Sequence, residues 1–230
     1  MNQTLFIYCD LSQKIGYSNN RERKMMKTLT VLFIALFATQ VAQAKNLIIY
    51  FSQPENYTAE QLVDGVSGAS KLIKNGEMLG ANEYLAKEIQ KTAGGELFRL
   101  ETVKPYPTTH QPLLDYAQNE QRQNIKPELK ALPNLDGVDT VFLVYPIWWY
   151  KAPMAWYSLL EQTDFSGKTI VPVVGHGGSR FSGTDRELKK LAPNAIVKDG
   201  FEAYLHKSVR AEPQVEAKLA EFLQKNGYAK

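Results

Sequence analysis

The chain has 230 residues, 27 of them basic and 24 acidic for a net charge of +3, and a single cysteine. Five of the basic residues and two of the acidic ones fall in residues 1–44, so residues 45–230 carry 22 of each and offer no basic surface for nucleic acid. The cysteine, Cys9, lies in the same leading stretch, so the remainder has no disulfide, thiolate nucleophile or cysteine-held metal.

That leading stretch reads as a targeting segment. Arg21, Arg23, Lys24 and Lys27 precede an apolar run from Leu29 to Phe37, and Ala42-Gln43-Ala44 follows with small residues at both key positions. This is the layout of a secretory signal peptide, with Met25 or Met26 as a suitable start. The run is too short to span a bilayer. The expectation is cleavage near Ala44, a periplasmic or secreted protein with no membrane span after cleavage, and one domain over residues 45–230.

Asn46 to Phe51 (NLIIYF) reads as the first strand. About thirty residues then intervene where a few are usual, an insertion over 53–79 that serves as a lid or a spacer. Its end, Lys71 to Leu79, has the Asn-Gly signal of a hairpin. Glu83 to Ala93 reads as a helix stopped by Gly94-Gly95, and Glu96 to Glu101 as a second, more edge-like strand. A long proline-containing connection, Thr102 to Val138, holds a helix over Leu113 to Arg122. The third strand ends at Tyr145, a helix over Pro153 to Gln162 buries Trp156, Leu159 and Leu160, and the fourth strand runs from Thr169 to Val174. Thr184 with Glu187 has the spacing of a capping box ahead of Leu188 and Leu191. Ala195 to Val197 is a short fifth strand, and Glu212 to Asn226 a last helix stopped by Gly227. Five alternations of strand and helix predict a parallel sheet with right-handed crossovers and helices on both faces: a doubly wound five-stranded α/β/α sandwich.

Two strand ends carry the chemistry. VFLVYPIWWY at 141–150 and TIVPVVGHGG at 169–178 are apolar runs of the kind buried on both faces, and each stops abruptly. Ligands of open α/β sheets bind outside the carboxyl ends of the strands, so an aromatic loop (Pro146, Ile147, Trp148, Trp149, Tyr150) and a glycine loop (Gly175, His176, Gly177, Gly178) should share one edge. Flat side chains supply stacking area, and glycines let a ligand approach backbone N–H groups. His176 is read as a contact residue rather than a catalytic one. No spacing of His176 with His110 and His206 suggests a metal site. Ser179 after Gly178 is not a nucleophile elbow, and nothing pairs it with a base.

With NLIIYFS at 46–52, VYPIWWYKAP at 144–153, SGKTIVPVVGHGGS at 166–179 and LKKLAPNA at 188–195, the chain resembles the flavodoxin-like family, in particular its signal-peptide-bearing bacterial members. The resemblance implies a bound FMN, its phosphate in the loop after the first strand and its isoalloxazine ring between the loops after the third and fourth. On this chain the phosphate end would be Ser52 and Gly80-Ala81-Asn82. Gly80 matches the family glycine, whereas Ala81 and Asn82 stand where Asn and Thr are usual. Asn82 is expected to cap the helix that follows. The function implied is electron transfer through the flavin, either between proteins or to a small acceptor such as a quinone. A cofactor-free binding module with the same fold is the alternative.

Overall fold

The computed structural model describes residues 45–54, 72–74, 77–205 and 213–230; residues 1–44, read above as a signal peptide, and most of the insertion lie outside the described residues. The main sheet is built from β1 (Asn46–Tyr50), β4 (Glu96–Arg99), β5 (Thr140–Pro146), β6 (Thr169–His176), β7 (Ile196–Val197) and β8 (Phe201–Tyr204). Between β1 and β4 come β2 (Leu72–Lys74), β3 (Glu77–Leu79) and helix α1 (Ala81–Ala93). The remaining helices are α2 (His110–Gln123), α3 (Met154–Gln162), α4 (Thr184–Leu191) and α5 (Pro213–Lys225). The order across the main sheet is β4-β1-β5-β6-β7, with β8 also on β6, and every pair is parallel.

Alternation along the strands sends successive side chains to opposite faces, and the two faces bury different helices. Leu47, Ile49, Phe51, Val141, Leu143 and Tyr145 join Leu113 of α2, Trp156 and Leu159 of α3, and Leu188 of α4. Ile48, Tyr50, Phe142, Val144, Val171 and Val173 join Tyr84, Leu85 and Ile89 of α1, and Val215, Leu219 and Leu223 of α5. Every residue of β1 and β5 is buried, which is why these strands read as unbroken apolar runs. The expected three-layer sandwich is therefore present, with five strand positions in the sheet. β4, whose only sheet neighbour among the described residues is β1, is the half-exposed edge.

The fifth position is occupied by two strands, not by one short strand at 195–197. β7 pairs with Thr169 and Ile170, and β8 with Val173 to His176. The cause is Pro172. Backbone groups of Lys168, Ile170 and His176 face the fifth position, since they accept from Ile196, Lys198 and Leu205. Pro172 shares their parity, and its missing N–H falls on that side. Three residues lie between Val197 and Phe201 where two lie between their partners Ile170 and Val173, which is a bulge. Gly200 lies in it, and a Cβ there would collide with the Pro172 carbonyl oxygen.

The strand ends also differ from expectation. β5 continues through Pro146 and β6 through Gly175 and His176, because Pro146 pairs with Gly175. The capping box at α4 does not form. The N-cap is Gly183, and no side chain caps the helix. Thr184 is already helical; its hydroxyl donates to Phe181 O (2.7 Å) and so accepts from Tyr145 Oη (3.0 Å), while Glu187 accepts from Tyr157 Oη (2.7 Å). The hairpin at the end of the insertion is present as β2–β3. Lys74 ties it to Glu88 of α1 and to Glu216 of α5, and Glu216 also accepts from Tyr84 Oη.

Candidate functional site

The chain leaves β1 for β4 on one side and returns on the other side at β5, which makes the β1/β5 junction the topological switch point of the sheet. In open parallel sheets the crevice at such a point, beyond the carboxyl ends of the strands, is where ligands bind. Three segments meet that edge: Phe51 to Pro54 after β1, Ile147 to Lys151 after β5, and Gly177 to Gly183 after β6. Phe51 N–H donates to Val144 O (2.9 Å) and Ile147 N–H to Gly175 O (3.3 Å), so their starts are locked in register.

At the β1 end, Ser52 lies against the start of α1. A Cβ on Gly80 would collide with Ser52 Oγ, so only glycine allows this approach. Gly80 is the N-cap, in an extended conformation, and no side chain caps the helix. The expected cap at Asn82 is thus absent, because Asn82 is the second residue of α1 and its side chain goes elsewhere. Its Oδ1 accepts from Gly175 N–H at 3.1 Å, joining the helix start to the end of β6. Gly175 must lack a side chain for this, since a Cβ would stand 2.8 Å from that oxygen. Ala81 is fully buried beside it. Two polar groups here, Ser52 Oγ and Asn82 Nδ2, are buried without a hydrogen-bond partner among the described residues. A buried unsatisfied donor costs about 1–3 kcal/mol. The N-terminus of a thirteen-residue helix adds a partial positive charge. Unsatisfied donors beside a helix start are chemistry that suits an anion.

After β5, Trp148 and Lys151 exchange backbone hydrogen bonds of 2.8 and 2.9 Å across a two-residue turn. Trp149 and Tyr150 occupy the turn with φ of 48° and 61°. Positive φ at both central positions defines a type I′ turn, normally the place of Gly, Asn or Asp. The left-handed conformation costs a bulky residue roughly 1–2 kcal/mol. Non-glycine strain of this kind clusters at functional sites. The three aromatics do different things. Trp148 is half-buried and packs edge-on against Phe51 (5.4 Å) and Tyr106 (5.6 Å), and its carbonyl accepts from Gln121. It anchors the turn. Trp149 is 43% exposed with its indole N–H on Leu114 O, and Tyr150 is 74% exposed. These two leave ring surface exposed to solvent.

After β6, Gly177 and Gly178 are exposed and Gly178 has φ 125°, whereas Gly175 and His176 belong to the strand. His176 is buried. Its Nδ1 accepts from Gly178 N–H at 3.0 Å, which leaves the ring hydrogen on Nε2, 3.9 Å from Glu202 Oε2. Burial is the main influence on this imidazole and holds its pKa below the usual 6.5; Glu202 opposes the shift and Arg180 adds to it.

The structure therefore brings Gly80, Ala81 and Asn82 to Ser52, joins Asn82 to Gly175, and sets Pro146 beside Gly175. Sequence reasoning missed the partners that hold these groups: Phe51, Tyr106 and Gln121 around Trp148, and Glu202 and Arg180 around His176. The alternation of Phe201-Glu202-Ala203-Tyr204 was the available signal for a strand carrying Glu202. Among the described residues no cluster of His, Cys, Asp and Glu could hold a metal ion, and no helix is long and apolar enough to cross a membrane.

A candidate flavoprotein of Bacteroides eggerthii has a similar fold, with 23% identity over 79% of this chain and 97% of its own and a TM-score of 0.56. One from Bacteroides uniformis has 20% identity over 79% and 98%, with the same TM-score. A flavoprotein of Lactobacillus acidophilus, solved in complex with FMN, has 15% identity over 69% and 93% and a TM-score of 0.51. These are likenesses of fold. No curated protein matches the chain. The flavodoxin family profile matches residues 71–214, which take in the start of α1, the aromatic turn and the glycine loop. With the β4-β1-β5-β6 order and the three converging loops, this match shows that the chain belongs to the flavodoxin family.

Proposed function

We propose that the protein is an exported FMN-binding redox protein that passes electrons through its flavin to a small acceptor such as a quinone. The observation that carries this reading is the pair of unsatisfied buried groups, Ser52 Oγ and Asn82 Nδ2, at the uncapped start of α1 on the switch-point edge. A terminal phosphate supplies the acceptors these groups lack. Ser52 and the N–H groups of Ala81 and Asn82 would hold it. Trp149 and Tyr150 would cover the ring on one side, and Gly177 and Gly178 would leave room for its polar edge. The bound flavin supplies the redox chemistry, and the chain contributes binding, orientation and exclusion of water. Residues 45–230 are balanced in charge. A dedicated carrier steered to basic partners would be expected to be strongly acidic, so charge balance favours a small acceptor.

One observation favours the second reading, a cofactor-free module: the N–H groups of Gly175 and Gly178 are already bonded within the chain. The visible spectrum of the purified protein, with the mass of any extracted cofactor, separates the two. A flavin spectrum and the mass of FMN are expected. A colourless protein that takes up no flavin on incubation would establish the second reading.

A further inference from the structure

The glycine loop is held in an uncommon shape. Gly178, Arg180, Ser182 and Gly183 all have positive φ (125°, 53°, 50° and 87°), and two of them carry side chains. Such a loop needs restraint from its neighbours. Ser182 N–H donates to Ser179 O and Thr184 N–H to Phe181 O, which closes its second half. Among the described residues its first half is held by the bond from Gly178 N–H to His176 Nδ1 and by the exposed ion pair of Arg180 with Glu202. His176 in turn is fixed by burial in β6 and by β8, where Tyr204 packs on its ring at 5.9 Å and Glu202 faces Nε2.

We propose that His176 is a positioning residue for the flavin site, a proton-sensitive clasp that holds Gly178 in its ligand-receptive place and releases it when Nδ1 is protonated. The chemistry is that of donor against donor. A neutral imidazole offers one acceptor, and Gly178 N–H takes it. An imidazolium has hydrogens on both nitrogens and offers none. Protonation at Nδ1 then sets two N–H groups against each other, and the loop must move. The charged groups facing the imidazole are Glu202 on β8, which favours the cation, and Arg180 on the loop, which disfavours it; the Tyr204 hydroxyphenyl also faces it. Arg180 Nε lies 3.6 Å from Glu202 Oε1, so the arginine offsets the carboxylate that would otherwise draw a proton to the ring.

This clasp rests on the flavin reading of the site, and the test separates the two. FMN is titrated by fluorescence into the full chain and into His176→Asn and His176→Gln, between about pH 8 and about pH 5, the range in which histidine changes charge. The FMN phosphate also titrates there, near pKa 6, in every variant, so the quantity read is the difference from wild type. An asparagine oxygen stands near the place of Nδ1 and cannot be protonated. Relative to wild type, the FMN affinity of His176→Asn is expected to rise about tenfold from the upper pH to the lower one. The glutamine amide reaches the place of Nε2 instead, so His176→Gln is expected to bind about tenfold more weakly than wild type at the upper pH. In the ligand-free chain, the Gly178 amide resonance is expected to follow the imidazole titration in wild type and to stay still in His176→Asn. Identical pH profiles for wild type and His176→Asn, with FMN bound by both, would overturn the clasp and leave the flavin reading intact. Absence of FMN binding at every pH would overturn the flavin reading and the inference with it.

Discussion

Asn82 stands where the family usually has threonine, and it serves two directions at once. Its Oδ1 holds Gly175 N–H, and its Nδ2 has no partner among the described residues. Asn82→Asp keeps the first contact and replaces the donor with a second acceptor. We expect Asn82→Asp to weaken FMN by at least about tenfold, 1.4 kcal/mol, and riboflavin little, measured by fluorescence titration of both. Equal losses for the two flavins would mean that Nδ2 does not face the phosphate. Tyr150 tests the aromatic turn. Its left-handed backbone costs roughly 1–2 kcal/mol, and glycine there would lose about 0.5–1 kcal/mol to chain entropy. Tyr150→Gly is therefore expected to stabilise the chain by up to about 1 kcal/mol in urea unfolding while weakening flavin binding. A Tyr150→Gly protein that is less stable would show that the turn is not strained. The residue types at both places were legible in the sequence, because Gly80, Trp149 and the glycines sit directly at strand or helix ends. The loss of the Asn82 cap was not legible, since it depends on how near Gly175 comes from a strand far away in sequence.

At the scale of elements, β1, β5 and β6 could be read because burial on both faces leaves an unbroken apolar run. The split of the fifth position into β7 and β8 could not, although both of its causes are visible as residues. Pro172 lacks a donor on the side of β7 and β8, and Gly200 fits where a side chain would meet the Pro172 carbonyl. Whether a strand proline interrupts a neighbour depends on its parity relative to that neighbour, which is a property of the sheet. The missing capping box at α4 has the same origin, because Thr184 is drawn away by Tyr145 and Phe181. We expect Gly200→Ala to destabilise the protein by about 1–3 kcal/mol in urea unfolding, as overpacking does. An unchanged midpoint would mean that the bulge between β7 and β8 adjusts freely.

For the whole molecule, the site is assembled from strand ends distant in sequence, and the β4-β1-β5-β6-β7 strand order is what brings them to one edge. Parallel pairing fixes Tyr50 beside Val144 and Pro146 beside Gly175, so the loops after β1, β5 and β6 emerge together. Asn82 then links the start of α1 to the glycine end. That architecture predicts a ligand with a flat ring at one end and a terminal anion at the other. The direct measurement is calorimetric titration of the cofactor-stripped chain with FMN and with riboflavin. FMN is expected to bind at least about tenfold more tightly, a difference of 1.4 kcal/mol from contacts at Ser52 and the start of α1. Equal affinity for FMN and riboflavin, or no binding of either, would contradict a phosphate site at Ser52, Gly80 and Asn82.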